Sequence, residues 1–262
     1  MSGDFERMAF PNESQAYREA RSALLDAEIA LRRQIEAVAE LRRALPPGGE
    51  LPEDYVFERI GAHMRPEKVR LSELFGRHQT LLLYSYMFGE ERDSPCPGCT
   101  HLLDGIEGAA RHVPERAALY VVASSPIARL EAFAHARGWH HLNLLSTAEN
   151  SYNQHYYGNT ASLTPAMRSE RGYKPNDNWD EPMLNVFQKV GGKVRHFWGS
   201  ELVFAPDDPG QNHRALDIVD PLWGLLDTTP EGRGEFFPSV NYPHPSDRST
   251  AAGSRTMDLA NA

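Results

Sequence analysis

Cys96 and Cys99 are the only cysteines in the 262-residue chain, and two residues separate them. They follow an apolar run of buried-strand type, Thr80 to Met87, and Cys96 stands where a helical pattern begins. A thiolate there would gain from the free N–H groups and positive end of the helix, which can lower a cysteine pKa from about 8.5 to about 3.5–7.5. Cys99 lies nearly one turn further on, within reach of a mixed disulfide. The pair therefore predicts thiol–disulfide exchange, with Cys96 attacking and Cys99 resolving.

Pro97 and Gly98, between the two cysteines, are expected to contact the substrate. Four carboxylates near the motif oppose thiolate formation at Cys96, so two effects of opposite sign act on its pKa. They are Glu90, Glu91, Asp93 and Asp104. A disulfide between Cys96 and Cys99 would close so small a loop that it could hardly stabilise the fold, which argues against a purely structural bridge.

Two other uses of the pair stay open, a metal site and a pair of inert cysteines, whereas covalent haem attachment does not fit the sequence. A zinc or copper site would need further ligands, and two of the eleven histidines, such as His101 or His112, would have to complete a zinc site. Covalent haem attachment would need His directly after the second cysteine, where Thr100 stands. The cysteines could also be inert and buried. The favoured interpretation needs neither a metal nor a cofactor.

Composition restricts the partners. A net charge of −9 disfavours nucleic acid and anionic membranes, which reward clustered Lys and Arg. The N-terminus resembles no signal peptide, and no apolar run approaches the roughly 20 residues of a membrane span. We expect a cytoplasmic protein whose partner is a protein or small-molecule thiol or disulfide.

The elements that position the cysteines follow an α/β pattern. Short apolar strands at Ala118 to Ala123 and Leu142 to Leu145 flank a helix that Ser125 would cap, Pro126 would open and Gly138 would end. With Thr80 to Met87 and a helix over Gly98 to His112, this alternation predicts βαβ crossovers and a mostly parallel sheet.

A long helix precedes this region. It is predicted from Asn12, which with Gln15 could form a capping box, to about Leu45. Apolar residues recur at heptad-like spacing, which suits either packing on the chain's own domain or contact with a second copy. These residues are Leu31, Ile35, Val38 and Leu45. We assign residues 1–50 to this helical arm and residues 51–230 to the α/β domain.

The C-terminal part is more polar. Asn159 to Glu181 is predicted as a loop, followed by strands Met183 to Lys189 and Lys193 to Phe204 with a turn at Gly191-Gly192. A short helix should begin at Asp220-Pro221. The composition of residues 231–262 predicts a flexible tail.

Asp180-Glu181-Pro182 before the strand at Met183 resembles the thioredoxin segment in which a cis-proline precedes a central strand. That resemblance implies that Pro182 faces the cysteines and that the backbone before it, at Glu181, binds the substrate chain. A trans proline that merely begins the strand is the alternative. In the same alignment Tyr84 replaces the buried Asp of thioredoxin, so the proton acceptor for Cys99 is missing or supplied elsewhere.

The chain also resembles an uncharacterised bacterial family, the thioredoxin-like domain of unknown function 899, over about residues 15–235. The motifs that carry the resemblance are Tyr84 to Gly89, Cys96 to Gly108, Pro126 to Trp139 and Leu225 to Pro230. It implies a thioredoxin-like fold, with a central mixed sheet flanked by helices beside the long N-terminal helix, and a dithiol–disulfide oxidoreductase.

Two segments depart from the family's usual pattern. Ala123-Ser124-Ser125-Pro126 lacks the arginine that is common in relatives before the second helix. Ser151-Tyr152-Asn153 stands where relatives tend to have Asp-Phe-Asn. Both changes could alter what enters the site.

Two further functions compete with thiol–disulfide exchange. A thiol peroxidase on this scaffold would need Thr three residues before the reactive cysteine, and Asp93 stands there. A non-catalytic interaction module is the other, and it could associate as a homodimer through the N-terminal helix.

Overall fold

The structure is a computed structural model that describes residues 6–242 of the chain. The helices are α1 (Gln15–Arg43), α2 (Leu71–Leu74), α3 (Pro97–Ala109), α4 (Ile127–Arg137), α5 (Tyr152–His155), α6 (Pro165–Glu170) and α7 (Pro221–Leu226). The strands are β1 (Val56–Ile60), β2 (Pro66–Arg70), β3 (Thr80–Ser85), β4 (Ala118–Ala123), β5 (Leu144–Ser146), β6 (Met183–Val190) and β7 (Lys193–Gly199). The chain divides after Pro46 into two compact units.

The N-terminal unit contains α1. Its cap is Ser14, whose hydroxyl accepts a hydrogen bond from the N–H of Tyr17 at 3.1 Å. The predicted cap, Asn12, is wrong because its φ of +59° places it in a turn before the helix. None of the α1 side chains is buried, and Leu31 and Ile35 are more than half exposed. The predicted contact with a second copy stays a prediction.

The main unit is built on one mixed sheet of seven strands in the order β2-β1-β5-β4-β3-β6-β7. The central strands β3, β4 and β5 are parallel. Strand β1 pairs antiparallel with β5 and β6 with β3, while the outermost strands β2 and β7 pair antiparallel with β1 and β6. The helices α3 and α4 connect the parallel strands, as the alternating pattern predicts. A central mixed sheet flanked by helices is the architecture that the sequence predicts.

Both faces of the sheet are buried, which explains the continuous apolar runs in its central strands. Along β3, Leu81 and Leu83 enter one core cluster while Tyr84 enters the other. The cluster that contains Tyr84 includes side chains of α3 and α4, and Cys99 is one of them. The cysteine motif therefore rests directly on the hydrophobic core.

Several boundaries differ from the sequence prediction. The hairpin of β1 and β2 was not predicted, because the run from Val56 is short and Pro66 opens its partner at the sheet edge. The predicted strand from Lys193 to Phe204 ends at Gly199. Within the predicted loop from Asn159 to Glu181, Thr164 caps the short helix α6.

The turn between β6 and β7 agrees with the sequence prediction. Gly191 and Gly192 have φ of +60° and +77°, as a tight turn between β6 and β7 requires. Residues 49–51 add backbone hydrogen bonds to the outer edge of β7.

Among the described helices, none has both the length and the apolarity to cross a membrane. Of the predicted tail, residues 243–262 lie outside the described residues.

We expect Gly105→Ala to destabilise the protein. A Cβ at Gly105 would lie 2.9 Å from the ring of Pro221, so α3 and α7 would have to separate. Overpacking of this kind costs about 1–3 kcal/mol. The matched control is Gly108→Ala on the same helix, which meets no atom within 4 Å and should gain about 1 kcal/mol in helix propensity. Urea unfolding measures both, and equal midpoints for the two variants would contradict the prediction.

Candidate functional site

Cys96 is the N-cap of α3, and Pro97 occupies the first helical position, where its lack of an N–H costs nothing. The Cys96 sulfur accepts a hydrogen bond from the backbone N–H of Cys99 at 3.5 Å. Cys96 is half-buried, whereas Cys99 is 4% exposed, and both are free thiols. The two cysteines thus differ in access: a reagent in solution meets Cys96 first.

The surroundings of Cys96 lower its pKa to about 6. The largest cause is a hydrogen bond from the Cys99 thiol, which outweighs the opposing effect of burial. The N–H groups of Cys99 and Gly98 and the positive charge of Arg92 act in the same direction. The nearby carboxylates do not prevent this, because Glu90, Glu91 and Asp93 are exposed to solvent.

Cys99 has the opposite character. Its hydrogen bond to Cys96 and its burial raise its pKa well above the usual value. The Tyr84 side chain lies against it and lowers that pKa in part. The Tyr84 hydroxyl is buried and makes no hydrogen bond of good geometry with any described residue. Burial raises the pKa of Tyr84 itself, so the phenol stays neutral. Tyr84 therefore stands where the resemblance to thioredoxin implies a proton acceptor, and it can serve there as a hydrogen-bond donor.

Backbone and side-chain hydrogen bonds fix the start of α3. The N–H of Cys96 donates to the carbonyl of Met87 at 3.0 Å. The Thr100 hydroxyl donates to the Cys96 carbonyl at 2.8 Å, and Tyr86 contacts the same hydroxyl at 2.8 Å. Because Thr100 and Tyr86 are both buried, this chain of hydrogen bonds holds the N-cap without solvent.

Arg129 on α4 holds the loop between β3 and α3. Its guanidinium lies 4.2 Å from the centre of the Phe88 ring and donates to the carbonyls of Gly89 and Arg92. Ser125, predicted to cap α4, instead donates to the carbonyl of Phe88, and Pro126 is the N-cap. The sequence prediction did not assign Arg129 to the site, although it lies in the first turn of the helix whose start was identified.

Asp180 is a second residue that the sequence prediction did not place at the site. Its carboxylate accepts a hydrogen bond from the N–H of Gly89, in the loop that leads to Cys96. Burial raises its pKa, against the effects of that N–H, of Arg92 and of Ser124. Arg92 therefore acts on both Asp180 and the Cys96 sulfur.

The predicted substrate-binding residues Glu181 and Pro182 lie just before β6. In register, Met183 pairs with Ser85, so Pro182 stands at the end of the sheet where β3 leads to the motif. No peptide bond among the described residues is cis, so Pro182 is trans and the cis-proline suggested by the resemblance is absent here. Glu181 is fully buried and pairs with Arg171 at 3.0 Å, which favours a structural role.

His101 and His112, the histidines suggested as zinc ligands, do not form a cluster with the two cysteines. His101 pairs with Asp220 at 3.2 Å, and His112 is exposed. Across residues 6–242, no group of three or more His, Cys, Asp or Glu side chains could hold a metal ion. In the described part of the chain, Cys96 and Cys99 would thus be alone as ligands.

Gly98 lies beneath an aromatic ring. A Cβ there would be 3.2 Å from the Phe237 ring and 3.8 Å from the Cys96 sulfur. Phe237 belongs to the segment whose composition predicts a flexible tail, and nothing in the local sequence signals its position. Pro97, the other residue between the cysteines, is half-buried.

Comparison with solved structures finds distant likenesses. The reduced 2-Cys peroxiredoxin of Plasmodium vivax shares 17% identity, over 68% of this chain and 97% of its own, with a TM-score of 0.41. The exposed lipoprotein thioredoxin Etrx1 of Streptococcus pneumoniae shares 15%, over 64% and 100%, with a TM-score of 0.30. The thiol peroxidase of Chromobacterium violaceum shares 16%, over 59% and 79%, with a TM-score of 0.35.

No curated protein matches the chain. The model of one family, described as a bacterial protein of unknown function (DUF899), matches residues 8–249. That span contains both cysteines, Tyr84, Arg129 and Asp180. The chain therefore belongs to the DUF899 family.

Proposed function

We propose that the protein is a thiol–disulfide oxidoreductase in which Cys96 attacks and Cys99 resolves. The observation that carries the proposal is the hydrogen bond between the Cys99 N–H and the Cys96 sulfur at the start of α3. It stabilises an anion on a partly exposed sulfur and keeps a second, protonated thiol beside it. The difference in pKa direction between the two thiols supports this division of roles.

The proposed reaction has two steps. The Cys96 thiolate attacks one sulfur of a substrate disulfide, so a mixed disulfide forms and the second substrate sulfur leaves as a thiolate. Cys99 then loses its proton to solvent and attacks the Cys96 sulfur, which releases the first substrate sulfur as a thiolate. The dithiol has given two electrons to the substrate, and an external thiol must reduce the Cys96–Cys99 disulfide before the next cycle.

The residues around the pair suit this chemistry. Tyr84 can donate a hydrogen bond to the Cys99 thiolate that forms in the second step. No carboxylate of residues 6–242 is among the main groups that shift the pKa of Cys99. Arg129 and Asp180 fix the loop before Cys96, so the attacking sulfur keeps its position during the exchange. Pro182 stands at the same end of the sheet, and a role for it in seating the substrate is part of the proposal.

We expect the rate of Cys96 alkylation by iodoacetamide to rise with pH through a midpoint of about 6 and to level off above it. The reason is that a depressed pKa makes the thiolate the main form from neutral pH upward. Cys99→Ala should move the midpoint upward, because it removes the largest cause of the depression.

Cys96→Ser is the control, and its remaining thiol should react slowly throughout this pH range. In glutathione redox buffers the unmodified protein should form one Cys96–Cys99 disulfide. A midpoint near the ordinary value of about 8.5, together with no such bond at any potential, would refute the proposed function.

Tyr84→Phe should slow the second step and leave the first unchanged. A hydrogen bond to a charged group contributes about 1.5–3 kcal/mol, so loss of the Tyr84 hydroxyl should slow the attack of Cys99 about tenfold or more. The chromogenic disulfide dithiobis(nitrobenzoate) reports both steps, since the mixed disulfide and its resolution each release one coloured thiolate.

Tyr152→Phe is the matched control, because its hydroxyl is also buried and unpartnered but lies in the core cluster on the other face of the sheet. Removal of an unpartnered hydroxyl should not lower stability in either variant. If both variants resolve the mixed disulfide at the unmodified rate, Tyr84 has no part in the reaction.

A further inference from the structure

Residues 233–242, the C-terminal strap, run past the start of α3. The strap is anchored first at Arg233, which is 7% exposed. Its guanidinium donates to Asp227 at 2.6 and 2.8 Å and also pairs with Asp217. Charge-assisted, paired hydrogen bonds of this kind are among the strongest polar contacts in proteins.

A second anchor lies at the other end of the strap. Arg137 on α4 donates to the carbonyl of Val240, and its guanidinium lies 4.0 Å from the centre of the Tyr242 ring. The same guanidinium is held by the carboxylate of Asp104 on α3, at 2.5 and 2.9 Å. The strap is thus tied to both helices that frame the cysteine motif.

Phe237 lies between the two anchors. Its ring tip and the Cys96 sulfur are both within 4 Å of the point that a Cβ on Gly98 would occupy. The neighbouring Phe236 contacts the Trp223 ring instead, with centroids 6.3 Å apart. Of the two aromatic residues, Phe237 is the one that lies beside Gly98, next to Cys96 in the motif.

This placement restricts approach to Cys96. A sulfur that attacks a disulfide needs the target bond in line with it, with room for the groups attached to both target sulfurs. In a folded protein those groups are two stretches of chain, and a stretch that passes over the Gly98 side of Cys96 meets Phe237. A small disulfide needs far less space.

We propose that the C-terminal strap, through Phe237, selects low-molecular-weight disulfides as substrates of Cys96 and excludes disulfides held in folded proteins. This inference rests on the proposed function for the identity of the reaction. The obstruction itself depends only on the contacts of the strap.

The test compares two maleimides, N-ethylmaleimide and a maleimide attached to a polyethylene glycol chain, on the reduced full-length protein. The two share one reactive group, so the ratio of their rate constants at Cys96 reports access alone. The relevant ratio is the rate constant for the polyethylene glycol maleimide divided by that for N-ethylmaleimide. Relative to the same ratio for free glutathione, it should be about tenfold lower in the unmodified protein, and Phe237→Ala should raise it about fivefold or more. Phe236→Ala is the matched control and should leave the ratio unchanged.

A substrate comparison completes the test. The reduced protein should reduce oxidised glutathione readily and insulin poorly, and Phe237→Ala should increase the rate with insulin several-fold more than the rate with oxidised glutathione. Equal effects of Phe237→Ala on both maleimides, or no effect on either, would overturn the proposal. If the protein fails to form a Cys96–Cys99 disulfide, the proposed function fails, while the maleimide ratio still decides whether the strap obstructs Cys96.

Discussion

The site depends on one interaction, the hydrogen bond from the backbone N–H of Cys99 to the sulfur of Cys96. It makes the sulfur the cap of α3, so the anion is stabilised by groups that every helix start leaves unpaired. The same geometry brings the second thiol against the first, which lowers the pKa of Cys96 and raises that of Cys99. One local conformation therefore produces both the depressed pKa of Cys96 and the asymmetry of the pair.

The rest of the main unit preserves that conformation. The core cluster beneath α3 supports Cys99, and the hydrogen bonds of Thr100 and Tyr86 fix the carbonyl of Cys96. Arg129 and Asp180 come from distant parts of the sequence, yet both bind the backbone of the loop before the motif at Gly89. The loop between β3 and α3 is thus held by side chains from two other elements of the chain.

The sequence predicted the central strands, α3 and α4 and the cysteine pair because each has a local signal: an apolar run, helical spacing, or two cysteines at a fixed separation. It missed Arg129 and Asp180 because their roles arise from contacts across about 40 and 91 residues of chain, which leave no local pattern. Phe237 was missed for a related reason: the segment around it has neither helical nor strand periodicity, and the buried ion pairs of Arg233 bring it to the site. The predicted N-cap at Asn12 was wrong because Ser14, two residues later, can cap the helix with its own side-chain oxygen.

The two ends of the sheet are closed by different means. At one end β2 begins with Pro66 and carries exposed Glu67 and Lys68, and at the other residues 49–51 already occupy backbone groups along β7. Proline and charged side chains on an outer strand disfavour its pairing with a strand of a neighbouring chain. Backbone groups that are already hydrogen-bonded are not available for such pairing. Strand pairing between copies of the chain is therefore disfavoured at both outer strands of the sheet by features of the fold itself.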